Sequence, residues 1–324
     1  MTRYPTHEAY REAWAAAGRG ETPAVPLNVD LELASVCNLS CPMCFISDSA
    51  FDTMISGRSS DGLGRRRLMN PVLAETVIAE ASRMGVPALK FNWRGEATLH
   101  PEFFAIIDYA AGRRTFHELL VNTNANCKDH AIDGLMRATK VMVSLDSMVP
   151  ATYQVMRAGG RLERALDVIG ELVRRGHPNL WVRRVLTRAN QAEPFAATVR
   201  DRFPTGVKIS EHYCYDRNEA QRLEMPGCEH DEMERTYCGY PSQRIVVASS
   251  GLCYPCCIDL HETMPIGDVR KDTLAAIWAG KELRALRETL LAGQPITSAC
   301  QGCRSWMAYK APQRNFVQDV EAAR

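Results

Sequence analysis

The sequence predicts an α/β protein: a parallel sheet, open or curled toward a barrel, followed by a smaller α+β unit. Two patterns predict it. From residue 25 to about 213 strand-like and helix-like segments alternate, and from about residue 216 that rhythm gives way to a hairpin, a helix and clustered cysteines. A third observation locates the chemistry: cysteines at 37, 41 and 44 fall within eight residues directly after the first strand.

Residues 1–24 read as a helical extension, and "VPLNVDLEL" (25–33) as the first strand. Polar, glycine-bearing "SDSAFDTMISGRSSDGLGRRRLMN" reads as a long loop of the kind that covers a site. Helical spacing in "PVLAETVIAEASRM" then precedes the strand "ALKFNWRG", and "PEFFAIIDYAAGR" precedes "FHELLVNTNA". "DHAIDGLMRAT" leads to "KVMVSLDS", "RLERALDVIGELVRRG" to "LWVRRVLT", and "PFAATVRDRF" to "GVKISEH". Six strands joined by five helical connections imply a parallel sheet over 25–215, with catalytic groups at the strands' C-terminal ends. In the second unit, 216–310, "CGYPSQRIVVASSGLCYPCC" reads as strand, glycine turn and short strand. "DTLAAIWAGKELRALRETLLAG" reads as one helix capped by Asp272 and closed by Gly293, and residues 311–324 form a tail.

At 324 residues and 46% hydrophobic the chain is long enough for a full core. Its 39 basic against 38 acidic side chains argue against nucleic acid or an anionic membrane surface as partner. Glu8, Arg11 and Glu12 break up any secretory signal, and no apolar run reaches the length of a membrane span, so a cytoplasmic protein is expected. In that compartment twelve cysteines are better read as metal or redox groups than as disulfides.

A structural zinc site needs four ligands, and "CNLSCPMC" supplies three with no fourth nearby. Three thiolates suit three irons of a cubane and leave the fourth iron open to an exogenous ligand. C-x3-C-x2-C after the first strand of a six-unit β/α chain resembles the radical S-adenosylmethionine (SAM) superfamily. The resemblance implies a partial (β/α)6 barrel, with Cys37, Cys41 and Cys44 on a 4Fe-4S cluster and Met43 beside the adenine. It also implies that the open iron is chelated by the methionine moiety of SAM, whose reductive cleavage yields a 5′-deoxyadenosyl radical that takes hydrogen from substrate.

"NWRGEATLHPEF" is similar to the family's Gly-Gly-Glu-Pro motif: Gly95 and Glu96 match, while Arg94 and Ala97 depart from it. The motif's glutamate and backbone hold the cofactor's amino group, a carboxylate meeting an ammonium. "VNTNA" resembles Thr-Asn-Gly with Asn124 matching, and "VSLDS" resembles Ser-Leu-Asp-Gly, placing Ser144 near the cofactor's carboxylate or ribose. Arg157 in "YQVMRAGG" is a candidate for binding that carboxylate or the substrate. From the residues alone these also read as turn and cap chemistry and, for Arg157, as a solvated helix arginine.

Cys238, then Gly251 and Cys256, then Cys300 and Cys303 in "ACQGC" supply four more thiolates for one complete cluster or one zinc; the spacing does not choose. The arrangement is similar to the shortened SPASM, or twitch, domain, which implies a small α+β iron-sulfur domain with one auxiliary 4Fe-4S cluster. The glycine spacing selects Cys256, with Cys253 and Cys257 as neighbours able to replace it. Cys127 and Cys228 read as ordinary small buried residues. Cys214, just beyond the sixth strand, is a candidate hydrogen donor, and His212, Tyr213 and Asp216 beside it are candidate substrate contacts.

The expected reaction is dehydrogenation or epimerisation of a polar small molecule such as a sugar or aminocyclitol, the auxiliary cluster accepting an electron. A short N-terminus, without room for a leader-binding domain, motivates that choice over modification of a ribosomally made peptide. A flavodoxin or ferredoxin is the electron donor that the resemblance implies. The non-enzymatic alternative is a zinc-ribbon interaction module.

Overall fold

The computed structural model of the chain describes residues 3–47, 67–213, 233–235, 237–294, 300 and 307–309. Most of the expected loop after the cysteines, Cys214, Asp216, Cys228, Cys303 and the tail at 311–324 lie outside the described residues.

Helix α1 (His7–Gly18) precedes β1 (Asn28–Leu31). Then α2 (Pro71–Met84), β2 (Ala88–Lys90), α3 (Phe103–Gly112), β3 (Glu118–Thr123), α4 (His130–Arg137) and β4 (Lys140–Ser144) alternate. A short α5 (Pro150–Met156) and α6 (Leu162–Arg174) lead to β5 (Leu180–Leu186), α7 (Phe195–Arg202) and β6 (Lys208–Tyr213). After β7 (Met233–Arg235) come α8 (Tyr240–Gln243), β8 (Arg244–Val247), β9 (Leu252–Tyr254), β10 (Gly267–Asp268), α9 (Leu274–Trp278), α10 (Lys281–Leu291) and β11 (Met307–Tyr309). All six expected strands of the α/β part are present, and neighbours from β1 to β6 pair in parallel. This is the partial barrel the sequence predicts.

Two features differ from expectation. The C-terminal hairpin does not form a sheet of its own: β8 pairs in parallel with β1, Val29 opposite Ile245, so one sheet runs β10-β9-β8-β1-β2-β3-β4-β5-β6. The apolar run "RIVV" signals a strand but carries no information about its partner. The helix expected over 272–293 is two helices. Thr273, not Asp272, caps α9, its side chain accepting from Ala276 N at 3.1 Å, and the extended Gly280 caps α10 after a break at Ala279. Gly293, at φ 71°, closes α10 as expected.

The two faces of the sheet differ in kind. Val29, Leu89, Val121, Val143, Val182, Ile209 and Ile245 alternate onto the helix-covered face and are at most 2% exposed. Each such side chain contributes about 1.5–3 kcal/mol on burial. The registers Asp30–Lys90, Asn122–Met142, Ser144–Arg183 and Arg183–Ser210 place hydrogen-bonding and charged groups on the opposite, concave face. A parallel sheet packed on both sides reads as near-continuous apolar strands. Alternation in "NVDLEL" and "KISEHY" therefore marks a second face that lines a polar space. Among the described residues no helix is long and apolar enough to cross a membrane.

Candidate active site

The loop after β1 carries the three thiols and is pinned from three sides. Ser40 N donates to Ala158 O (2.9 Å), Asn38 Nδ2 to Asn126 O (2.9 Å), and Glu96 N to Val36 O (2.8 Å). Within it a turn closes Cys44 N onto Cys41 O at 2.9 Å, holding Met43 half-buried between the two cysteines.

Donors point at the sulfurs: Leu39 N lies 3.4 Å from Cys37 Sγ, Asn124 Nδ2 3.7 Å from the same atom, and Arg157 Nη1 3.6 Å from Cys41 Sγ. Burial pushes the Cys37 thiol up to about 12, the Leu39 amide opposes it, and repulsion from Glu96, Cys41 and Cys44 adds to it. Cys41 is also raised by burial, against the pull of Arg157. Three clustered thiols, with Cys37 and Cys41 faced by N–H donors, fit an anionic sulfur-bridged iron cluster, whose iron stabilises the thiolates.

Gly95 sits on this loop so closely that a Cβ would lie 2.3 Å from Ala34 O and 2.4 Å from Val36 O. Glu96 is fully buried and turned into the protein: Oε1 accepts from Thr98 N, Thr98 Oγ1 and Thr123 Oγ1, and Oε2 from Asn124 N. Burial pushes its carboxyl up against those donors. Asn124, held this way, bonds Asn38 Oδ1 at 2.9 Å as well as facing Cys37.

The sequence reading missed Asp146. It takes φ 66°, a left-handed conformation that Asp tolerates, and is wholly buried. Its Oδ2 lies 2.7 Å from Arg157 Nε, and its Oδ1 accepts from Val185 N at 2.7 Å. Asp146 thus fixes the guanidinium that faces Cys41, while burial still raises its own carboxyl. Ser144 ends β4 on the concave face, in register with Arg183. His212 lies on β6, opposite Val185.

In the second unit, Cys238, Cys256 and Cys300 line one apolar cavity of about 430 Å³, open mouth included, with Tyr240, Ile258, Met264, Leu286 and Leu290 around them. Ile258 N donates to Cys256 Sγ at 3.2 Å. Convergence of three thiols on one apolar space fits an auxiliary cluster. Of the neighbours of Cys256 in sequence, Cys257 stays beside it. Cys253 is wholly buried in the core and Cys127 packs there too, whereas Cys257 faces Arg244 Nη1 at 3.6 Å. A hydrogen bond with Cys256, and then Arg244, hold the Cys257 thiol below its ordinary value despite burial.

The residue at the first glycine of the motif, Arg94, joins the two units. It bonds Glu32 Oε1 at 2.7 Å and Glu262 Oε1 at 2.6 Å, stacks on Trp93, and shares Glu32 with Ser249 N and Oγ. Trp93 Nε1 donates to Cys257 O at 2.9 Å. The loop holding Glu96 and the segment holding Cys256 are thereby one bonded structure.

A radical SAM superfamily model matches residues 31–201, and a SPASM iron-sulfur cluster-binding domain model matches 238–304. Those domains carry SAM and 4Fe-4S clusters. The chain is 26% identical over 189 residues to a mycofactocin maturase, MftC, of Mycobacterium ulcerans, covering 57% of this chain and 47% of that protein. The Mycobacterium tuberculosis maturase is 28% identical over 193 residues, 57% of this chain and 44% of that protein. The chain spans about half the length of these curated relatives. Among solved structures, Streptococcus suis SuiB bound to its precursor peptide SuiA has TM-score 0.64 at 14% identity, covering 91% of this chain and 73% of that one. BtrN in complex with AdoMet and 2-DOIA has TM-score 0.52 at 16% identity, covering 83% and 88%.

Proposed function

Because the chain belongs to the radical SAM superfamily and carries a SPASM-type unit behind its core, we propose that it takes hydrogen from a polar substrate on the concave face of the sheet and completes an oxidation or an epimerisation. The observation that carries this reading is the polar concave face below the cysteine loop, where Lys90 of β2, Asn122 of β3, Arg183 of β5 and Ser210 of β6 fall on one side of the sheet, Arg183 and Ser210 in register.

We assign Cys37, Cys41 and Cys44 to the SAM-binding cluster, and Cys238, Cys256, Cys300 and Cys303 to the auxiliary cluster. When bound, these groups and SAM supply single electrons and a hydrogen-abstracting 5′ carbon. The chain's residues do the rest. Arg157 and Asn124 donate toward cluster sulfurs, and Asp146 keeps Arg157 aimed. Glu96 locks the strand-end loops that face SAM, Met43 offers apolar surface beside it, and Ser144 presents a hydroxyl at the strand end. The concave lining fixes the substrate's reacting carbon, for which about 3–3.5 Å to the abstracting atom is needed.

The substrate class proposed is a sugar or aminocyclitol. BtrN, whose structure holds AdoMet and 2-DOIA, supports it through shared fold. A second reading is modification of a peptide, favoured by the sequence similarity to the mycofactocin maturases and the fold shared with SuiB bound to SuiA. Incubating reconstituted, reduced protein with deuterated sugars, aminocyclitols and peptides and following label into 5′-deoxyadenosine separates them. Label from the small molecules supports the first reading; label from peptides alone replaces it with the second.

A further inference from the structure

Three described arginines around the concave face have carboxylate partners. Arg94 is paired with Glu32 and Glu262, Arg157 with Asp146, and Arg244 with Asp30 at 3.3 Å. Arg183 has no carboxylate within ion-pair distance among the described residues. It projects from the middle of β5, between Ser144 of β4 and Ser210 of β6. Its Nη2 reaches the Met142 sulfur at 3.8 Å, and its buried Nε has no hydrogen-bond partner among the described residues.

Two neighbours share that condition. Ser210 Oγ, on a residue 2% exposed, and Asn122 Oδ1, level with Met142, are buried without partners among the described residues. Buried polar atoms are normally hydrogen-bonded, and several orphans on one face mark a place where a ligand supplies the partners. Burial also holds the Arg183 guanidinium below arginine's ordinary range, because the attraction of Asp146 is offset by repulsion from Arg157. An anion placed there removes that penalty.

We infer that Arg183 and Ser210 form the receptor for an anionic group of the substrate, a carboxylate or phosphate, with Asn122 Oδ1 accepting from a hydroxyl or ammonium beside it. The inference rests on the reading that this face holds the substrate. It narrows the substrate to an acid, whether a small polar acid or a peptide's free chain end, and separates this position from that of the methionine carboxylate of SAM.

The test uses reconstituted holoenzyme with SAM bound and titrates inorganic phosphate and glycolate calorimetrically. Saturable millimolar binding is expected, weakened about tenfold in Arg183→Gln and partly restored in Arg183→Lys. SAM affinity stays within about threefold. No saturable binding to the unaltered protein, or equal binding in Arg183→Gln, overturns the inference. So does a tenfold loss of SAM affinity in Arg183→Gln, which assigns the guanidinium to the methionine carboxylate. Should Arg183→Gln fail to take up iron, Ser210→Ala carries the comparison: about threefold weaker anion binding supports the receptor and no change overturns it.

Deuterium transfer from matched pairs, a uronic acid and its amide, a peptide with a free and an amidated C-terminus, identifies the acid's source. Label from neutral members as readily as from acids also overturns the inference. Anion binding needs no turnover, so Arg183-dependent binding with no label from any compound supports the receptor and counts against the radical reading alone.

Discussion

At Gly95 there is no room for a side chain, since Ala34 O and Val36 O both lie within 2.4 Å of where a Cβ would stand. Gly95→Ala must push the cysteine loop away, an overpacking that costs about 1–3 kcal/mol. We expect a lower unfolding midpoint and loss of iron from the first cluster, read by thermal unfolding and iron analysis; unchanged iron would show that the contact does not shape the loop. Asp146 gives a second residue-scale prediction. Asp146→Asn keeps the volume and the left-handed backbone but strands Arg157, and removing one partner of a buried pair costs about 3–5 kcal/mol. Urea unfolding should show a lower midpoint at unchanged slope. Gly95 was legible because a motif pairs it with Glu96. Asp146 was not, because an Asp after a strand is also an ordinary turn residue, and only the folded chain brings Arg157 to it.

The six strands and the helices α2, α3, α4, α6 and α7 were legible because each carries its own period, two or 3.6 residues, whereas the two-turn α5 is too short to show one. What escaped depends on long-range partners: β8 completing the edge beside β1, and Arg94 reaching Glu32 and Glu262 at once. Arg94 stood in the sequence as a departure from a glycine. The fold explains it as the bolt between the motif loop and the C-terminal unit. Arg94→Met leaves wholly buried Glu32 without its cation, at a cost of about 3–5 kcal/mol, while the double variant Arg94→Met with Glu32→Gln should recover much of that loss. A double-mutant cycle from urea unfolding measures the coupling. Additive effects would mean that the pair does not act as a unit.

At the scale of the molecule, one continuous sheet carries both thiol groups, the first at the end of β1 and the second around the hairpin that β8 joins to β1. Both sets of cysteines could be read from spacing; that they share a sheet could not. Two four-iron clusters require about eight irons per chain, and the variant with Cys37, Cys41 and Cys44 all changed to Ala should keep about four. Zinc in place of iron would contradict both assignments. Product analysis shows whether three thiols leave one iron for SAM. Anaerobic protein with its iron and sulfide in place, reduced with dithionite and given SAM, should release 5′-deoxyadenosine and methionine, and the Cys41→Ala variant none. Fully loaded protein that leaves SAM intact, or a Cys41→Ala variant that cleaves it equally well, would contradict that arrangement.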